Sequence, residues 1–159
     1  METLESVKMS KTTARKLYKT MPEFRPSLEE TFGKTFFSES VMDRVKTYED
    51  ACIENGKEPM NETALRSAGL TESEIVRRKL VEITKALNGD WVADIFDVNQ
   101  KKFYAWFNTS SGVFVFDDTT YRYSTAYAGY GSRLWFSNPE HAAYAAKQFA
   151  PYYKILAEN

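Results

Sequence analysis

Apolar positions recur along the chain in two rhythms, and the change falls at Asp90. Before it the spacing is helical. In TESEIVRRKLVEITKALNG, Val76, Leu80, Ile83 and Leu87 stand 4, 3 and 4 residues apart, which lines them up on one helix face. Thr71 is placed to cap this helix, Glu74 to complete a capping box, and Asn88-Gly89 to end it. The pattern predicts a helix over 71–88. At the other end, Ala145, Phe149, Tyr152 and Leu156 repeat the spacing and predict a helix over 138–156. Ser137 or Asn138 caps it and Pro139 suits its first turn. Pro151 lies inside the pattern and should kink the helix or end its first part near Ala150.

Shorter helical pieces precede these. Thr12 to Thr20 forms one and stops before Pro22. PSLEETFG offers Ser27 as N-cap, Glu30 as its partner and Gly33 as the stop, with Leu28 and Phe32 on one face. Thr47 caps a third piece over about 47–55, with Glu49 and Asp50 near its positive end. KEPMNETALRSAG reads as a loop with one turn of helix. Residues 1–46 therefore read as a helical N-terminal arm, too short to be stable unless docked.

After Asp90 the period becomes two. WVADIF, KFYAWF, GVFVFD, YRYSTAY and SRLWF are candidate strands, separated by the turn-forming stretches NQ, NTSSG and DDTT. The expectation is an α+β domain over 47–159. An antiparallel meander of four or five strands within 91–136 packs against the two amphipathic helices, with the arm docked beside it.

Charge changes this picture little. The chain has 159 residues, 21 Lys+Arg against 22 Asp+Glu, and a net charge of −1. Neither half is a basic tail or a disordered polyanion. No run approaches the roughly 20 apolar residues of a membrane span, and METLESVKMSK lacks the apolar core of a signal peptide. A soluble cytoplasmic protein with no membrane association is expected.

Candidate chemistry is sparse. One histidine, His141, and one cysteine, Cys52, do not make a zinc site. His141 reads as a surface or half-buried helix residue. Cys52 has the acidic neighbours Glu49, Asp50 and Glu54, which oppose a reactive thiolate, so it reads as a buried small residue. Asp117-Asp118 reads as a turn former in DDTT rather than a catalytic pair. No nucleophile elbow or phosphate loop is present, and no metal or cofactor is expected.

The aromatic residues are the unusual feature: 14 of the 24 lie within 91–136. Alternation sets Phe103 and Phe107 opposite Tyr104 and Trp106, and Leu134 and Phe136 opposite Arg133 and Trp135. Phe103, Phe107, Leu134 and Phe136 are the expected core. The other face would carry Tyr104, Trp106, Trp135, Arg133 and the row Tyr121, Tyr123 and Tyr127. Either the arm folds over this face, or it binds a protein partner or a second copy, or it stacks on the bases of a single-stranded nucleic acid. In that last case Lys101, Lys102, Arg122 and Arg133 would meet phosphates. The strand region 101–136 has a net charge of only +2. That favours a protein partner over a phosphate chain.

The succession ARKLYKTMPEF, LEETFGKTFF, VKTYEDAC, LTESEIV, ITKALNGDW, YAWF and GSRLWFSNPEHAAYAAKQFAPYYKI resembles a family of small uncharacterised proteins of gut Bacteroidales genomes and their phages and mobile elements. The resemblance runs from about Thr13 to Leu156. It implies one compact fold and a phage or mobile-element setting, inside the bacterial cell or in a virion, and it brings no catalytic residues. Trp135 stands where such relatives often carry cysteine, and Pro151 where they seldom carry proline. The reading that follows is a non-enzymatic binding or assembly protein acting through its aromatic face on a protein partner. A single-stranded nucleic-acid binder is the alternative, and a small enzyme a more distant one.

Overall fold

The computed structural model describes residues 9–38, 40–122 and 132–158. The first described elements are α1 (Lys11–Thr20), a 3-10 turn (Pro22–Phe24), α2 (Arg25–Phe32), α3 (Lys34–Ser38) and α4 (Val41–Arg44). Then come α5 (Tyr48–Asn55), α6 (Glu62–Ser67) and α7 (Glu72–Asn88). Strands β1 (Lys102–Asn108) and β2 (Val115–Arg122) form a hairpin, and α8 (Pro139–Gln148) and α9 (Ala150–Glu158) close the fold.

The mixed α+β class holds, but the meander does not: among the described residues the sheet has two antiparallel strands. Three expectations fail for separate reasons. WVADIF forms a loop, because Asp94 and Asp97 turn their Oδ1 atoms onto the backbone N–H of Phe96 and Asn99 at 2.9 and 2.8 Å. Such Asx contacts replace ladder bonds. DDTT is no turn. It lies inside β2, where Trp106 pairs with Asp118 and Phe107 with Phe116, leaving Asp117 as the extra residue of a β-bulge. SRLWF is a 3-10 turn over Ser132–Leu134 followed by a single bridge, Phe136 to Phe103. Most of YRYSTAY lies outside the described residues; its first two residues end β2.

The helical expectations fare better. Thr71 accepts from the Glu74 N–H at 3.3 Å while Glu74 accepts from the Thr71 N–H at 2.7 Å, the expected capping box. Thr47 and Asp50 form a second box on α5. Phe149 separates α8 from α9, so Pro151 sits in a first turn, where its missing N–H costs nothing. Ser27, in contrast, lies within α2, which starts at Arg25 with Pro26 in its first turn.

Helix α7 is the spine. Its stripe of Val76, Leu80, Ile83 and Leu87 is buried, and so are the flanking Ile75 and Ala86, because α5 packs on one side and α9 on another. Each of these valine, leucine and isoleucine side chains contributes about 1.5–3 kcal/mol by leaving water. The core continues through Leu134, Phe136, Ala142, Ala145, Phe149 and Tyr153, with Phe103 and Phe107 packed against it. Helix α8 lies against both strands.

The arm docks on helices. Arg15 and Arg44 both reach Glu54 of α5, at 3.2 and 2.7 Å. Tyr18 stacks on Phe37 with ring centroids 4.1 Å apart, and Arg15 lies over Phe36 at 4.1 Å.

Candidate functional site

In an antiparallel pair, residues directly opposite each other share a side. The register sets Phe103 across from Tyr121, Ala105 from Thr119 and Phe107 from Phe116. This side faces α8 and α9: Phe107 meets Tyr153 with centroids 5.2 Å apart, and Lys147 lies over the Phe116 ring at 5.1 Å. The opposite side carries Tyr104 across from Thr120, Trp106 across from Asp118 and Asn108 across from Val115. There Trp106 is 54% exposed and Val115 55%, and Tyr104 is half-buried beside Trp106 with centroids 6.0 Å apart.

Lys102 defines one end of that face. It shares the side of Tyr104 and Trp106, yet it is fully buried, its Nζ donating to the carbonyls of Asp97 and Gln100 at 2.9 Å each. The loop 92–100 therefore folds over this end. Gln100 ties it further, accepting from the Asp94 N–H at 2.7 Å and donating to the Val92 carbonyl at 3.0 Å. The loop turns its apolar side chains outward: Phe96 is 85% exposed, Val92 78% and Val98 60%. Burying a lysine to hold such a loop places the most exposed large apolar side chains among the described residues next to one another in sequence. The loop 92–98 is not legible in the sequence because its apolar content reads as a strand. The signal available was Asp94, Asp97 and Asn99, which favour local turns.

The expected site residues separate into groups. Tyr104 and Trp106 lie together on the open face. Tyr121 is exposed but belongs to the other side, where its ring contacts Phe103 at 5.6 Å and lies under Lys101 at 4.8 Å. Trp135 is buried, contrary to expectation: Asn88 holds its carbonyl, and Leu134 and Phe136 on either side are buried too. Lys102 is likewise no surface cation. Arg133 is exposed in its 3-10 turn, and Arg122 pairs with Lys102 at the end of the hairpin. Tyr123 and Tyr127 lie outside the described residues.

Burial pushes the Cys52 thiol up, against a hydrogen bond with Tyr48, and burial with the same contact pushes Tyr48 up to about 12. Burial holds His141 below the usual histidine range, and its Nδ1 has no partner among the described residues. Lys79 is buried between the rings of Tyr48 and Tyr152 and pairs with Glu62 at 2.5 Å. Among the described residues no group of three His, Cys, Asp or Glu is placed to share a metal ion, and no helix is long and apolar enough to cross a membrane. An open cleft of about 860 Å³ in the arm is lined by Met9, Leu17, Met21, Phe24, Leu28 and Phe32 with Ser27 and Thr31, none of them titratable in the ordinary range.

No protein-family model, no curated protein and no solved structure matches the chain.

Proposed function

We propose that this is a non-enzymatic binding or assembly protein whose working surface is the open face of the hairpin, with Trp106 and Val115, together with the loop carrying Val92, Phe96 and Val98. One observation carries the reading: among the described residues, eight of the twelve large apolar side chains left in water fall between Val92 and Tyr121 in sequence, and all but Tyr121 lie in the loop or along the hairpin away from the Phe103–Tyr121 contact. Apolar surface gathered in this way marks an interaction site, and a half-exposed tryptophan is a favoured interface anchor. A protein accessory to a phage or mobile element, working in the bacterial cytoplasm or a virion, is the setting that the resemblance implies.

Nucleic acid is the weaker reading. Asp118 lies directly across from Trp106, and Lys102 is committed to loop carbonyls. A phosphate chain following a base stacked on Trp106 would meet a carboxylate.

The test is affinity capture from lysate of the natural host on immobilised wild-type protein, Trp106→Ala, Phe96→Ala and the arm control Phe24→Ala, read by quantitative mass spectrometry. The expected result is a partner retained by wild type and Phe24→Ala and lost from the other two. A labelled single-stranded 20-mer bound tightly at low salt and released by Trp106→Ala would overturn the reading in favour of nucleic acid.

A further inference from the structure

The surface just described is framed by carboxylates. Residues 90–122 hold the aspartates 90, 94, 97, 117 and 118 against Lys101, Lys102 and Arg122, and all five aspartates are exposed. Two of the three bases are drawn away from the open face, and the third, Arg122, stands across from Lys102, away from the bulge at Asp117 and Asp118. Lys102 is buried under the loop, and Lys101 lies over Tyr121 on the other side of the sheet. Asp118 stands across from Trp106 and Asp117 is the bulged residue beside it. The Asp118 carboxylate accepts only a local bond, from the Thr119 N–H at 2.7 Å, among the contacts described.

We infer that the partner of this surface is a cationic, apolar protein segment, in which aliphatic or aromatic side chains cover Trp106, Val115 and Phe96 while lysines or arginines meet Asp117 and Asp118. This rests on the binding function proposed above and specifies its partner. Charge complementarity selects the occupant. A second copy fits poorly. A two-fold interface places a patch against itself, and here that would bring Asp117 and Asp118 towards their own copies beside Trp106. The bulge and its charges also discourage edge-to-edge strand pairing. A phosphate chain is repelled by the same carboxylates.

The experiment uses two fluorescein-labelled peptides of equal length, one alternating Lys and Leu, the other Glu and Leu, titrated with the full chain and read by anisotropy. The Lys-Leu peptide should bind and the Glu-Leu peptide should not. Trp106→Ala and the double variant Asp117→Asn/Asp118→Asn should each weaken binding roughly five- to tenfold, while Glu23→Gln/Glu30→Gln on the arm leaves it unchanged. Binding should also weaken as salt rises. Equal binding of both peptides, or indifference to the double variant while Trp106→Ala still weakens it, overturns the charge inference and leaves the surface standing. No binding, or binding indifferent to Trp106→Ala, overturns both. A dimer in sedimentation equilibrium that Trp106→Ala dissociates overturns the inference in favour of a second copy.

Discussion

Asn88 and Trp135 are joined across 47 residues of sequence: the Asn88 Nδ2 donates to the Trp135 carbonyl at 2.7 Å. The same side chain accepts from the Ser137 N–H through its Oδ1 at 2.9 Å. The last residue of α7 thus serves as a two-point clamp on the segment that leads into α8. Asn88→Ala leaves a carbonyl and an amide without these partners, at a cost of about 1–3 kcal/mol. Urea denaturation should show the loss as a lower midpoint with an unchanged slope. Asn88→Asp should recover little of it, because a carboxylate has no donor for the Trp135 carbonyl.

The two tryptophans should respond oppositely to truncation. Trp135 is 3% exposed and Trp106 54%. Trp135→Ala opens a cavity in the core and should cost about 3–5 kcal/mol. Trp106→Ala should move the melting temperature little, since substitutions at exposed positions usually stay within about 0.5 kcal/mol. Thermal melts of both variants check this.

Lys102→Met keeps the chain's bulk but removes the donor to the Asp97 and Gln100 carbonyls. Hydrogen exchange should quicken in residues 92–101 while α7 stays protected, and stability should fall by about 1–3 kcal/mol. A uniform increase across α7 would instead mean that Lys102 supports the whole core.

Acid should weaken the arm's attachment. Burial raises the Glu54 carboxyl, but the Arg44 hydrogen bond and the charges of Arg44 and Arg15 outweigh it, leaving Glu54 below its ordinary value of 4.5. A depressed folded value means stability that is present above the ordinary value and lost as pH falls through the folded one. Glu54→Gln should therefore be less stable than wild type at neutral pH. The two should converge as the acid limb is descended in urea titrations at successive pH values.

Much of this fold was legible in local chemistry. Thr71 with Glu74, Thr47 with its acids, and Pro139 and Pro151 fix helix starts and a helix break through backbone bonding, which depends on few neighbours. The strands were harder to read. Leu134, Trp135 and Phe136 are all buried in succession, so their burial cannot follow an alternating pattern. Asp117-Asp118 has turn-forming composition, but a bulge absorbs the extra residue and β2 continues through it. Ser27 is a good cap, yet Pro26 already starts the helix. Of the surface, Tyr104 and Trp106 followed from alternation within β1. The separation of Tyr121 from them followed from register, which depends on the partner strand. The burial of Lys102 followed from the folding of loop 92–100, a tertiary event.

The most direct test of the proposed surface is photocrosslinking in the natural host, with benzoylphenylalanine replacing Trp106 in one strain and the arm residue Phe24, 48% exposed, in another. A discrete protein adduct is expected from position 106 and none from position 24. No adduct at 106, the same adduct from both positions, or an adduct destroyed by nuclease would contradict it.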